Sequence, residues 1–95
     1  MATYVLAQLE VHDREQLREY VRAAAPTVAA HGGTGLFIDD HPEVLEGEWF
    51  GPRTIALRFE TREDAERWYR SDEYQAALAM RLRCARTNLV FVQGT

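Results

Sequence analysis

Two segments of alternating apolar and polar residues constrain the fold of this chain more than any other feature. In residues 53–60, the alternate positions Ile55, Leu57 and Phe59 are apolar, and the positions between them are small or polar. Residues 4–11 follow the same pattern, with Val5 and Leu9 on the apolar side. Because the side chains of a strand alternate between its two faces, both segments are predicted to be strands with one buried face.

A helix is predicted after the first of these strands. Asp13 is a suitable N-cap, and apolar residues then recur at spacings of three and four, at Leu17, Tyr20, Val21, Ala24 and Val28. Pro26 falls inside this pattern and predicts a kink or a break, because proline removes a backbone hydrogen bond. Gly32 and Gly33 are predicted to end the helix, with His31 in its last turn.

A second helical region is predicted after the strand that ends near Phe59. Thr61 and Asp64 resemble a capping box. The aromatic-rich run 68–75 carries Ser71 and Asp72 in its middle, which predicts a helix, a break and a second helix. The second piece is predicted to bury a stripe at spacing four, formed by Tyr74, Leu78 and Leu82.

The order of predicted elements is β-α-β-β-α-β. Short apolar segments at 36–39 and 89–92 supply the second and fourth strands, and residues 44–49 are predicted to pair back or to lie along the sheet edge. This order predicts one α+β domain over residues 1–95, a ferredoxin-like sandwich with helices on one face of its sheet. The other face is half apolar and is predicted to pack on a second copy; it carries Tyr4, Leu6, Gln8, Glu10, Thr54, Ala56, Arg58 and Glu60.

The composition of the sequence argues against several classes of partner and site. The net charge is −4 and the sequence has no basic block, so nucleic acid is not an expected partner. No apolar run approaches membrane-spanning length and no leader pattern is present, which predicts a cytoplasmic protein without a membrane partner. Cys84 is the single cysteine, so neither an internal disulfide nor a cysteine-rich metal site is expected.

Several segments together resemble the domain of unknown function family 1330. They are Ala-Ala-Ala-Pro at 23–26, Ala-His-Gly-Gly at 30–33, Val-Leu-Glu-Gly at 44–47, the strand at 53–59, the aromatic run at 68–75 and Val-Gln-Gly at 92–94. The resemblance spans nearly the whole chain. It implies a dimeric α/β barrel, in which two ferredoxin-like chains pack sheet to sheet. Relatives in that superfamily include cofactor-independent oxygenases, lactone isomerases and haem-degrading enzymes, and some members have no assigned activity.

One segment departs from the family pattern. Where the family often has Glu-Phe-Pro-Ser at the end of the third strand, this chain has Arg58, Phe59, Glu60 and Thr61. A carboxylate role at that position therefore cannot be transferred to this chain. The change from an acid to Arg58 favours an anionic ligand instead.

His31 and Glu46 are the candidate catalytic residues. His31 lies in the Ala-His-Gly-Gly segment and as a neutral imidazole could act as general acid or base; alternatively, it satisfies the last carbonyls of its helix. Glu46 could position a substrate or a partner arginine, or could form an ion pair with Arg53 at the sheet edge. A metal at His41 with Asp39 and Asp40 is not expected, because adjacent residues rarely converge on one ion.

The candidate substrate-binding residues are aromatic or cationic: Tyr20, Trp49, Arg53, Arg58, Trp68 and Arg81. Two of the five aromatics Tyr20, Trp49, Trp68, Tyr69 and Tyr74 are expected to contact a ligand, and the rest to form core. Arg81 resembles an arginine in the last helix of the family and could bind a carboxylate, or it could form a structural salt bridge. One pocket is predicted between the helices and the sheet, rimmed by Tyr20, His31, Glu46, Trp49 and Arg81.

These features predict a homodimer that binds a small anionic or aromatic metabolite. The first hypothesis is a cofactor-independent enzyme of the isomerase, cyclase, lactone-acting or oxygenase type, because no cofactor motif is present. The second hypothesis is a non-catalytic ligand-binding or scaffold dimer, for which the same aromatic residues would suffice. A haem-binding relative is the third.

Overall fold

A computed structural model describes residues 1–94 of the chain. The elements, in chain order, are β1 (Thr3–Val11), α1 (Arg14–Ala30), β2 (Thr34–Asp39), β3 (Arg53–Phe59), α2 (Arg62–Arg70), α3 (Asp72–Cys84) and β4 (Ala85–Gln93). The predicted ferredoxin-like α+β fold is confirmed, with the second helical region divided into two helices.

The sheet is antiparallel and has the strand order β2-β3-β1-β4. The central strand β1 pairs with β3, where Val5 lies opposite Leu57, and with β4, where Val5 lies opposite Phe91. Val5 and Leu9 are buried on the side that the helices cover, whereas the intervening Leu6 is exposed. The predicted two-residue alternation is therefore confirmed.

Short polar side chains start all three helices. Asp13 accepts hydrogen bonds from the backbone nitrogens of the first turn of α1, Thr61 accepts one at the start of α2, and Ser71 accepts one from the nitrogen of Tyr74 at the start of α3. Ser71 also donates its hydroxyl to the carbonyl of Trp68 and so joins the end of α2 to the start of α3. These caps satisfy backbone groups that a helix terminus leaves unpaired.

The predicted break at Pro26 is wrong, because α1 runs without interruption from Arg14 to Ala30. Pro26 is exposed, and so is Arg22, whose carbonyl loses the hydrogen bond that a residue other than proline would donate. That carbonyl therefore lies on the solvent side, where water can satisfy it. The tertiary contacts of the opposite, buried side are enough to keep the helix continuous.

The predicted stripe of α3 is wrong at Leu82, which is 68% exposed. The buried residues of this helix are Tyr74, Ala77, Arg81 and Cys84. Their spacing of three, four and three follows one side of a helix with 3.6 residues per turn, whereas repeated steps of four drift around the axis by roughly 40° each. The buried position one turn after Ala77 therefore belongs to an arginine.

The core under α2 and α3 is aromatic. Trp68 is 2% exposed, and its ring centroid lies 4.2 Å from that of Tyr74 and 5.4 Å from that of Phe59. The indole nitrogen of Trp68 donates to the hydroxyl of Thr27 in α1 at 3.0 Å. This contact attaches α1 to α2.

The helix-free face of the sheet, here called the open face, carries a continuous apolar row. Phe37, Ala56, Leu6 and Val90 lie opposite one another across all four strands. Phe37 and Val90 are each about half exposed. A row of this kind is uncommon on the surface of a monomer.

The segment between β2 and β3 forms no strand, so the predicted pairing of residues 44–49 is wrong. The C-terminal part of this segment lies against the open face rather than along the sheet edge, because the indole of Trp49 donates to the hydroxyl of Thr54 in the inner strand β3 at 2.9 Å. Gly51 follows within van der Waals contact of the β1 backbone, and a Cβ there would lie 2.5 Å from the carbonyl of Leu9. Only glycine allows the chain to pass so close.

None of the helices within residues 1–94 combines the length and apolar character that crossing a membrane requires.

Replacing Trp68 with alanine is expected to reduce the free energy of unfolding by about 3–5 kcal/mol, because it empties the aromatic core and removes the bond to Thr27. Arg70→Ala, two residues later on the exposed side of α2, is the control and should change it by less than about 0.5 kcal/mol. Urea unfolding of both variants at one protein concentration tests this. Equal midpoints would contradict the packing described above.

Candidate functional site

A cavity of about 120 Å³ lies between α1 and the helix-covered face of the sheet. Its walls are almost entirely apolar; the lining residues are Val5, Ala7, Leu9, Tyr20, Val21, Ala24, Ala25, Val28, Ile38, Ile55, Leu57, Trp68, Arg81 and Leu89. Ala25 and Ile38 are exposed, so the cavity opens between α1 and the edge strand β2. An apolar cavity of about 150 Å³ is known to hold benzene, so this one suits a molecule of similar size.

Arg81 is the one charged residue that lines the cavity, and it is 4% exposed. Within residues 1–94 it forms no salt bridge, and its Nε has no hydrogen-bond partner. Its contacts are a 3.4 Å hydrogen bond from Nη2 to the hydroxyl of Tyr74 and a position 5.6 Å from the ring centroid of Tyr20. A buried cation without a carboxylate is unusual, because its desolvation is costly.

The guanidinium of Arg81 nevertheless stays charged. Burial alone would lower its pKa, but the hydroxyls of Tyr74 and Tyr20 outweigh burial, and the pKa of Arg81 is raised. The cavity therefore combines apolar walls with one fixed positive charge.

Tyr20 is the second polar group of the cavity. Its hydroxyl lies 2.9 Å from that of Tyr74, with the two rings edge to face. Burial, followed by the neighbouring Tyr74, raises the pKa of Tyr20 above its usual range, so its phenol remains protonated at neutral pH. Tyr20 is thus a hydrogen-bond donor rather than a base.

Trp68 also lines the cavity, and its indole nitrogen is bound to Thr27. Two of the five aromatic residues considered as ligand contacts, Tyr20 and Trp68, therefore line the cavity. Tyr74 lies behind them and is 0% exposed.

His31 lies outside this cavity, at the end of α1. Its Nδ1 is 2.8 Å from the carbonyl oxygen of Thr27, and because a carbonyl only accepts, Nδ1 carries the proton and donates it. This is the helix-end geometry that was the alternative interpretation of His31. A proton-transferring role for His31 stays a prediction, and it would have to use the remaining nitrogen, Nε2.

Glu46 lies on the exposed loop before β3, away from the lining residues of the cavity. Its expected alternative partner, Arg53, instead donates to the carboxylate of Asp40 at 2.8 Å. Arg53 itself lies in a shallow groove beside the arginines of α1 rather than in the cavity. A catalytic role for Glu46 stays a prediction.

Trp49 and Arg58 are both on the open face, across the sheet from the cavity. Arg58 donates to the carboxylate of Glu60 at 2.6 Å, and Trp49 is 47% exposed beside Thr54. Of the five residues predicted to rim one pocket, the structure brings Tyr20 and Arg81 to the cavity and places His31, Glu46 and Trp49 outside it.

The family model described as "Domain of unknown function (DUF1330)" matches residues 2–95. The chain belongs to this family. The resemblance noted in the sequence is thereby confirmed. None of the curated proteins matches the sequence.

Solved structures similar to this DUF1330 chain share its fold at low sequence identity. RPA0582, a protein of unknown function from Rhodopseudomonas palustris, is 13% identical, with a TM-score of 0.84 over 99% of this chain and 82% of that one. A dimeric ferredoxin-like protein of unknown function from Jannaschia sp. CCS1 is 14% identical, with a TM-score of 0.83 over 99% and 100% of the two chains. SnoaB, a cofactor-independent oxygenase from Streptomyces nogalater, is 7% identical, with a TM-score of 0.68 over 99% and 93%.

Two polar residues behind the cavity were not among the predicted site residues. Thr27 is buried and orients the Trp68 ring, and Tyr74 connects Tyr20 with Arg81. Thr27 had no distinguishing signal, because a single threonine inside an apolar helix stripe is also a common packing residue. Tyr74 was one of the five aromatics considered as ligand contacts, but its hydroxyl partner lies 54 residues away in the sequence, so its role in connecting Tyr20 with Arg81 could not be predicted. Among residues 1–94, no group of three or more side chains suited to a metal ion is present.

Proposed function

We propose that the cavity between α1 and the sheet binds a small metabolite with an apolar body and an anionic oxygen. The observation that carries this proposal is Arg81, a buried and charged arginine whose Nε is unpaired and which has no carboxylate partner within residues 1–94. Leaving a buried cation uncompensated costs several kcal/mol. A ligand carboxylate or phenolate would supply the missing counter-charge, and the apolar walls would bury its hydrocarbon part.

The first functional hypothesis is a cofactor-independent enzyme. It is supported by an apolar site with a preorganised cation, since such a site stabilises negative charge that develops on a substrate. The fold shared with SnoaB is compatible with it as an analogy only. The lining residues include no carboxylate or imidazole, so the reaction would be one that the substrate's own anionic form can begin, such as oxygenation.

The second hypothesis is a dimer that binds the same ligand without reacting with it. The specific observation in its favour is the same lining, which offers a cation and a phenol donor but no general base. Neither hypothesis requires a cofactor. A measurement of turnover distinguishes the two hypotheses, whereas both expect the ligand to bind in the cavity.

We also propose that the chain forms a homodimer through the open face. The apolar row through Leu6, Phe37 and Val90 has no helix to cover it. Charged groups around the row already form pairs within the chain, Arg58 with Glu60 and Arg86 with Glu10. A second copy of the same face would therefore bury apolar surface without burying an unpaired charge. The dimeric ferredoxin-like protein from Jannaschia supports a homodimer by its similar fold.

Benzoate is a suitable probe for the cavity, because it joins one ring to a carboxylate. Arg81→Met is expected to weaken benzoate binding at least about tenfold, since a hydrogen bond to a charged group contributes roughly 1.5–3 kcal/mol. Arg83→Met removes an exposed arginine from the same helix and should leave the affinity unchanged. Calorimetric titration of the three proteins is the measurement. Equal affinities for the wild type and Arg81→Met, or no binding to the wild type, would contradict the proposal.

Light scattering at micromolar concentration should give about twice the chain mass of 10.9 kDa. Leu6→Glu places a charge in the apolar row and should produce a monomer. Leu82→Glu changes an even more exposed leucine on the helix side, and this variant should remain a dimer. A wild-type monomer, or dissociation caused by Leu82→Glu alone, would show that the open face is not the interface.

A further inference from the structure

Two side chains that line the cavity and one that lies beside it are hydrogen bonded in series. The hydroxyl of Tyr74 is in the middle, 3.4 Å from Nη2 of Arg81 on one side and 2.9 Å from the hydroxyl of Tyr20 on the other. Arg81 and Tyr20 both line the cavity, whereas Tyr74 does not. The series therefore begins and ends at the same cavity.

The direction of these hydrogen bonds follows from what each group can do. A guanidinium only donates, so the oxygen of Tyr74 accepts from Arg81. Tyr74 is 0% exposed, and a buried hydroxyl proton needs an acceptor inside the protein. Within residues 1–94 the remaining hydrogen-bond partner of that hydroxyl is the oxygen of Tyr20. Donation consequently runs from Arg81 to Tyr74 to Tyr20.

The hydroxyl proton of Tyr20 is not used in either of these hydrogen bonds. Its oxygen accepts from Tyr74, and the guanidinium of Arg81 is also close enough to act on the pKa of Tyr20 directly. Because a guanidinium only donates, neither neighbour accepts the proton of Tyr20. Because each donor in such a series polarises the next, a phenol that accepts from Tyr74, which itself accepts from a cation, is a stronger donor than an isolated one. Burial raises the pKa of Tyr20, so the phenol keeps this proton at neutral pH.

We infer that Tyr20 donates the hydrogen bond that holds the ligand's reactive oxygen, with Arg81 beside it and with Tyr74 as the positioning residue that connects the two. The substrate class is a small, largely apolar molecule whose oxygen is, or becomes, an enolate or phenolate. A donor backed by a cation favours such an oxyanion over the neutral oxygen. This inference rests on the proposed binding of a metabolite in the cavity.

The test uses 4-nitrophenol, whose ionised and neutral forms differ in absorbance. Wild-type protein should bind the phenolate in preference to the phenol, so that the apparent pKa of bound 4-nitrophenol falls below that of the free compound. Tyr20→Phe should lose about tenfold of this preference, and Tyr74→Phe should lose a smaller part. Tyr69→Phe is the control, because Tyr69 lies in the same aromatic cluster but outside the hydrogen-bonded series and the cavity lining.

Toluene binding, followed by NMR, distinguishes a failure of the proposed cavity function from a failure of the proposed role of Tyr20. All four proteins should bind toluene equally, because the apolar walls are unchanged. If the wild type binds neither ring compound, the proposed function of the cavity fails. If it binds both, and Tyr20→Phe retains the full phenolate preference, the cavity function stands and the role of Tyr20 is wrong. Should Tyr20→Phe not fold, an unchanged preference in folded Tyr74→Phe would overturn the proposed role of the hydrogen-bonded series.

Discussion

The hydrogen bond from the indole of Trp68 to the hydroxyl of Thr27 is the contact on which the rest of the structure depends. It is buried, measures 3.0 Å and joins α1 to the end of α2. Thr27 in turn donates to the carbonyl of Ala24 at 2.6 Å, so its hydroxyl is satisfied in both directions. With α1 held in this way, Tyr20 faces Tyr74 across the helix pair, and the space between α1 and the sheet remains open as a cavity.

The same arrangement separates two surfaces with different tasks. The helix-covered side of the sheet encloses the cavity with Arg81 and Tyr20, whereas the open face carries Trp49, Arg58 and the apolar row. Since strand residues alternate between faces, each surface is encoded by alternate positions of the same strands. A substitution on one parity of β1 or β3 therefore changes ligand binding or assembly, but not both directly.

Much of the fold could be predicted from the sequence because its signals are local. Strand alternation, the caps at Asp13, Thr61 and Ser71, and the sheet face that each residue occupies all depend on neighbours within a few positions. The site was less predictable, because its contacts join residues far apart in the chain. Preference for apolar residues favoured Leu82 over Arg81 as a buried position, and only the tertiary contacts with Tyr20 and Tyr74 show why the arginine lies inside. The position of Trp49 depends on a loop that periodicity cannot describe.

The central claim is that the guanidinium of Arg81, which has no carboxylate partner within residues 1–94, is the counter-charge for a ligand in the cavity. The most direct test is to follow the Nε–H resonance of Arg81 by NMR during titration with benzoate, with the resonance assigned by its loss in Arg81→Met. The account predicts that this signal shifts and becomes protected from solvent exchange along the same binding curve as the indole signal of Trp68. An Arg81 signal that stays unchanged at saturation, while the signals of exposed arginines move, would contradict it.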